Sequence, residues 1–145
     1  MAKTTEVLVK DLMKTIASVK EETKIEEMLD IFKKEKIVLI PVVDKNNTLI
    51  GIVTEQDLIK IIKHELPSPI AGDVWSTVID ASLKDKPIKE IMNSKFISVS
   101  PTENIDSALK IMNNYNTRVL PVVDAENKLL GVIRVRDIFE KFLRD

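Results

Sequence analysis

IPVVDKNNTLIGIVTEQDL at residues 40–58 returns as LPVVDAENKLLGVIRVRDI at residues 120–138, so one unit is written twice in a chain of 145 residues. Eight of the nineteen positions are identical, and five more exchange one aliphatic side chain for another. The period is 80 residues, since 121 minus 41 is 80. That spacing is too long for a solenoid repeat and too short for two ordinary independent domains. Each half is therefore expected to need the other to bury its apolar face, as a paired module.

The repeat extends upstream. Ile25, Met28, Leu29 and Phe32 are matched by Ile105, Ala108, Leu109 and Met112, an i, i+3, i+4, i+7 stripe that reads as an amphipathic helix in both copies. Val9-Lys10-Asp11-Leu12-Met13 answers to Ile88-Lys89-Glu90-Ile91-Met92 at an offset of 79, one residue having been gained between Met92 and Ser98. These matches set the first copy at 7–66, a connector at 67–85 and the second copy at 86–145.

The expected order in each copy is β-α-β-β-α. In the first, Val9–Met13 is one helical turn and Ile16–Val19 a short strand, and Thr23 with Glu26 forms a capping box opening a helix to Glu35. Ile37–Val43, rich in β-branched residues, is a buried strand; Asp44–Asn47 supplies turn chemistry, Thr48–Val53 the partner strand, and Glu55–His64 a helix. The second copy repeats this as strand Phe96–Val99, helix 103–115, strand Arg118–Val123, turn Asp124–Asn127, strand Lys128–Ile133 and helix 135–143. The connector, framed by Pro67, Pro69 and Pro87, holds the only tryptophan, Trp75, which reads as a cover over the module edge or as a partner contact.

Composition removes several function classes. The content is 44% apolar and 31% charged, that of an ordinary soluble globule. A net charge of −1 offers no field toward nucleic acid or an anionic membrane, so phosphate recognition would need a few placed residues. The longest apolar run, Ile37–Val43, is too short to cross a bilayer, and with no cysteine or signal-like start the expected compartment is the cytoplasm. One histidine, His64, reads as solvated beside Lys63 and Glu65, which leaves no zinc constellation and no Cys-His or Ser-His nucleophile. No catalytic residue and no metal ligand is assigned, and no enzyme is expected.

The binding chemistry concentrates where strand meets helix. Gly51-Ile52-Val53-Thr54-Glu55-Gln56-Asp57 runs from a strand straight into a helix, so Thr54 and Asp57 lie on a first turn whose free N–H groups favour an anion. Asp57 can accept two hydrogen bonds at once, as a ribose 2′,3′-diol would offer, with Thr54 donating and accepting beside it. Thr54-x-x-Asp57 is also a capping box that needs no ligand, worth about 1 kcal/mol. The second copy has Arg134 and Asp137 at these positions; an arginine cannot accept from N–H groups, yet the aspartate is still there.

Two β-α-β-β-α copies, each with h-P-V-V-D, a turn and G-h-h-x-x-x-D, resemble a tandem pair of cystathionine-β-synthase (CBS) domains, the Bateman module, over nearly the whole chain. The resemblance implies an α/β (α+β) fold in which two pseudo-twofold-related copies pack through their sheets, leaving two clefts that hold adenosine nucleotides or related compounds. One cleft would combine Thr54, Gln56 and Asp57 with Lys95, Ile97, Thr117, Arg118 and Val119. The other would combine Arg134, Arg136 and Asp137 with Thr15, Ala17, Ile37, Val38 and Leu39. Asp57 and Asp137 would take the ribose, while Arg118, Arg134 and Arg136 would take phosphate, a role suited to guanidinium. The plain alternative is solvated arginines paired with Glu55 or Asp124. Val38 stands where the second copy has Arg118, and Gln56 where it has Arg136, so the two clefts should differ.

The resemblance implies a non-catalytic sensor for AMP, ADP, ATP or a related adenosyl ligand, a homodimer, and an unknown effector protein that reads the bound state. The alternative from another class is a ligand-free structural or protein-interaction module. Nucleic acid and membrane are not expected partners.

Overall fold

A computed structural model describes residues 6–59 and 82–144 of the chain. Trp75 with most of its connector, and His64 with the end of its helix, lie outside the described residues. The elements are α1 (Val9–Leu12), β1 (Val19–Lys20), α2 (Ile25–Glu35), β2 (Leu39–Val43), β3 (Leu49–Thr54) and α3 (55–59). Two 3-10 turns follow at Ser82–Asp85 and Ile88–Glu90, then α4 (Ile105–Tyr115), β4 (Val119–Val123), β5 (Leu129–Arg134) and α5 (Val135–Arg144). The mixed α/β class and the doubled order are those the sequence implies. Among the described residues, no helix is long and apolar enough to cross a membrane.

Two compact units form, and they cross the boundaries of the repeat. The first holds described residues 6–16, 46–49 and 96–144; the second holds 17–45, 50–59 and 82–95. Each has its own core. In the first, Ile105, Ala108 and Met112 of α4 meet Leu120 and Val122 of β4, Ile133 of β5 and Ile138 of α5. In the second, Ile25 and Met28 of α2 meet Val19, Ile40, Val42 and Val53. The apolar stripes read from the sequence are thus the core faces of their helices.

The segments that lead each copy are exchanged. Val7 and Val9, at the start of the first copy, are buried in the core built by the rest of the second; Ile88, at the start of the second copy, is buried in the core built by the rest of the first. Backbone bonds repeat the exchange residue for residue. Val9 N–H donates to Glu103 O at 2.8 Å and Ile105 N–H to Val7 O at 2.9 Å, while Ile88 N–H donates to Thr23 O at 2.8 Å and Ile25 N–H to Lys86 O at 2.9 Å. Lys14 and Val132 exchange bonds of 2.8 and 2.9 Å, as Asn93 and Ile52 do at 2.8 and 3.0 Å. A buried Val or Ile contributes about 1.5–3 kcal/mol, so each leading segment stabilises the unit of the other copy substantially. Glycine makes room for the approach: a Cβ on Gly131 would lie 2.5 Å from the Lys14 carbonyl oxygen.

The exchange also accounts for two strands shorter than the sequence suggests. Instead of Ile16–Val19, β1 is Val19–Lys20, parallel to Val42–Val43 of β2. Instead of Phe96–Val99, only Val99 bridges, to Val122. The chain passes between units at 16/17 and at 95/96, so each stretch splits its pairing: Lys14 with Val132 and Val19 with Val42, then Asn93 with Ile52 and Val99 with Val122.

A second correction concerns the start of α2. The expected Thr23–Glu26 capping box does not form, because the Thr23 hydroxyl accepts from Lys20 N–H at 3.1 Å and closes a turn. The N-cap is Lys24, whose side chain makes no cap bond, and the first helical N–H, that of Ile25, is satisfied by Lys86 O. In α4 the cap is Asn104, accepting from Ser107 N–H at 2.9 Å. The other element ends that fall on described residues agree with expectation within the usual scatter.

The turn of the first copy, 46–49, belongs to the first unit. Leu49 N–H donates to Asn127 O and Leu129 N–H to Asn47 O, both at 3.0 Å. Asn47 and Asn127 both sit at φ 64°, a left-handed conformation that asparagine tolerates.

Candidate functional site

β3 ends at Thr54 and α3 opens at once, with Glu55 N–H donating to Val38 O at 3.2 Å. The capping box read from the sequence is formed. Asp57 Oδ2 accepts from the Thr54 N–H at 2.8 Å and from its hydroxyl at 3.0 Å, and Asp57 N–H donates to Thr54 Oγ1 at 3.3 Å. Both bonds onto the carboxylate fall on one oxygen, and Oδ1 takes no part in the box. Asp57 is half-buried and Gln56 exposed.

The second copy builds the same turn with different chemistry. Val135 N–H donates to Arg118 O at 2.9 Å, and Val119 is the cross-strand partner of Arg134. Arg134 Nε donates to Asp137 Oδ2 at 2.7 Å and its Nη2 to Oδ1 at 2.9 Å, a two-point ion pair within one helical turn. The Asp137 side chain is 5% exposed and that of Arg134 31%. Asp137 is the one buried polar or charged residue among those described. Its hydrogen bond to Asp137 holds the Arg134 guanidinium above the ordinary arginine range, against the opposing effect of burial. Arg134 is thus not a solvated side chain paired with Glu55 or Asp124. The Arg-x-x-Asp spacing carried that signal, since the residue just before a helix meets the one three places on, as in a capping box.

The other candidates divide between the units. The second contains Ala17, Ile37, Val38, Leu39 and Lys95 beside Thr54, Gln56 and Asp57. There Leu39 is buried, Ile37 lies against the core, and Lys95 N–H donates to Asn93 Oδ1 at 2.9 Å. The first contains Thr15, Ile97, Thr117, Arg118 and Val119 beside Arg134, Arg136 and Asp137. Thr15 lies alongside Gly131, Ile97 lies against the core, and Thr117 Oγ1 donates to Val119 O at 2.9 Å. Arg118 and Arg136 are both exposed. Direct bonds bring Val38 to the turn of Asp57 and Arg118 to the turn of Asp137, whereas the resemblance sets Val38 with Asp137 and Arg118 with Asp57. No group of three or more His, Cys, Asp or Glu that could hold a metal ion occurs among the described residues.

Each turn therefore presents a carboxylate at a helix start, fixed by the residue three before it. The chain matches the CBS domain model twice, at residues 9–64 and 88–144. An uncharacterised protein of Methanocaldococcus jannaschii is 31% identical over 94% of this chain and 92% of its own length. The inosine-5′-monophosphate dehydrogenase of Aquifex aeolicus is 36% identical over 86% of the chain, which spans 22% of that enzyme. Among solved structures, CBSX2 in complex with AMP superposes with a TM-score of 0.77 at 25% identity, covering 95% of this chain and 97% of its own. The CBS domain pair of protein MJ0100, in complex with 5′-methylthioadenosine and S-adenosyl-L-methionine, gives 0.74 at 27% identity, again over 95% and 97%. A unit written twice and matched by the same family model in both copies has one reading: the chain belongs to the CBS domain family, as a tandem pair.

Proposed function

We propose that this chain is a non-catalytic regulatory module that binds an adenosine nucleotide, AMP, ADP or ATP, or a related adenosyl compound. The observation that carries the reading is the repeated aspartate: Asp57 and Asp137 each lie in the first helical turn after a strand, steadied by residue 54 or 134. A carboxylate held in that way is suited to accept the two hydroxyls of a ribose. Support comes from the CBS pairs of like fold that carry AMP, or 5′-methylthioadenosine with S-adenosyl-L-methionine. Thr54 and Gln56 complete the first set, Arg134 and Arg136 the second. The Arg118 guanidinium contributes a phosphate contact, and the residues at Thr15, Ala17, Ile37, Val38, Leu39, Lys95, Ile97, Thr117 and Val119 contribute backbone contacts to the base and apolar walls with few polar anchors.

A ligand acts on a partner only through its differential affinity for two arrangements of the protein. The partner is an effector protein, and the module works as a homodimer. Phe139 and Leu143, one helical turn apart on α5 and 57% and 83% exposed, supply an apolar face for a second copy.

Thermal unfolding with AMP, ATP and 5′-methylthioadenosine tests the reading, with GMP as control. A ligand at a hundred times its dissociation constant stabilises by about 2.7 kcal/mol. No shift with any adenosyl compound would favour the ligand-free interaction module instead.

A further inference from the structure

The two copies differ at the strand-to-helix turn in what their aspartates are free to accept. Thr54 is neutral, and its two bonds to the Asp57 carboxylate share Oδ2. Arg134 is a cation and occupies both oxygens of Asp137, at 2.7 and 2.9 Å, leaving the side chain 5% exposed. A carboxylate has lone pairs beyond two bonds, but at that burial the remaining ones are out of reach while the guanidinium stays. A ribose diol offers two neutral O–H donors, which are weaker than two parallel charge-assisted bonds from one guanidinium. A neutral adenosyl compound would have to displace Arg134 and strand its charge. A phosphate-bearing ligand gives the departing guanidinium a new bidentate partner. Arg136, two residues on, and Arg118, whose carbonyl bonds Val135 N–H, are exposed at the same turn.

We infer that Arg134 makes the second-copy site conditional on charge: Asp137 receives a ribose only from a ligand whose anionic group draws the guanidinium away, whereas Asp57 receives neutral adenosyl compounds and nucleotides alike. This rests on the adenosyl-binding reading above. Arg134 is then a specificity-determining residue, and the chain distinguishes phosphorylated from unphosphorylated adenosyl ligands by how many sites fill.

Isothermal titration with 5′-methylthioadenosine and with AMP tests it on the intact chain, Arg134→Thr and Thr54→Arg. Arg134→Thr installs the residue that already partners an aspartate at this position in the first copy. Thr54→Arg builds the same obstruction in the first copy, so the inference does not depend on one variant folding. The intact chain should take one 5′-methylthioadenosine but two AMP per chain, and Arg134→Thr should take two of each. Thr54→Arg should weaken its 5′-methylthioadenosine binding at least about tenfold, the loss expected when a charge-assisted bond must be given up. Two 5′-methylthioadenosine per intact chain, or a count that stays at one in Arg134→Thr, overturns the inference while leaving adenosyl binding intact. If neither compound binds any of the three proteins, the adenosyl reading falls and the inference with it.

Discussion

Asn47 and Asn127, 80 residues apart, hold each other's turns: Asn47 Nδ2 donates to Leu129 O and Asn127 Nδ2 to Leu49 O, both at 3.0 Å. With the backbone bonds from Leu49 and Leu129, four hydrogen bonds interchange when 80 is added or subtracted. This local twofold relationship fixes the register of the two turns. Asparagine suits both demands, since it tolerates φ 64° and carries the amide that reaches across.

Asn47→Gly and Asn127→Gly keep the left-handed backbone and remove only the side-chain bond, so each should cost about 1 kcal/mol in urea unfolding. The alanine variants should lose about a further 1 kcal/mol because Cβ is strained there. The two positions should match within a few tenths of a kcal/mol. A loss at one position only would contradict the reciprocal geometry.

The exchange of leading segments gives a paired test at the glycines. Gly131→Ala sets a Cβ against the Lys14 backbone carbonyl and should destabilise by about 1–3 kcal/mol, with faster amide exchange in residues 6–16. Gly51→Ala first meets the Met92 thioether, at 2.8 Å, a flexible neighbour that can move aside. Its cost should be smaller, and the reverse order would contradict the packing.

The two copies also show what α2 lacks. Lys24 stands where Asn104 caps α4, and its ion pair with Asp85, 3.8 Å between exposed side chains, is worth little. Lys24→Asn should therefore stabilise by about 0.5–1 kcal/mol in thermal unfolding.

Sedimentation tests the proposed dimer. Phe139→Asp places a charge in the exposed apolar face of α5 and should convert a dimer to a monomer without loss of helix content. A dimer that survives this change would place the contact elsewhere.

The repeat carried most of the fold in plain sight, because identity between copies fixes element order and because the stripes at Ile25 and Ile105 have one apolar face each. The partner of each leading segment was not legible. Val9 and Ile88 signal only that they are apolar, and local sequence does not say which copy buries them. The Thr23–Glu26 box failed because the Thr23 hydroxyl closes a turn with Lys20 N–H, and the Ile25 N–H that opens α2 is met by Lys86 O, a distant partner that local sequence does not name. At the site, the positions of Asp57 and Asp137 were legible from strand-into-helix spacing. From sequence Arg134 reads as a phosphate ligand or as a solvated side chain paired with Glu55 or Asp124, and the structure gives it Asp137, three residues on.

The central claim is that the paired aspartates bind an adenosyl ligand. Isothermal titration of AMP into the intact chain and into the Asp57→Ala, Asp137→Ala double variant tests it most directly, with circular dichroism confirming that both are folded. Saturable binding to the intact chain that disappears in the folded double variant is the expected result. Equal affinity in the two proteins would contradict it.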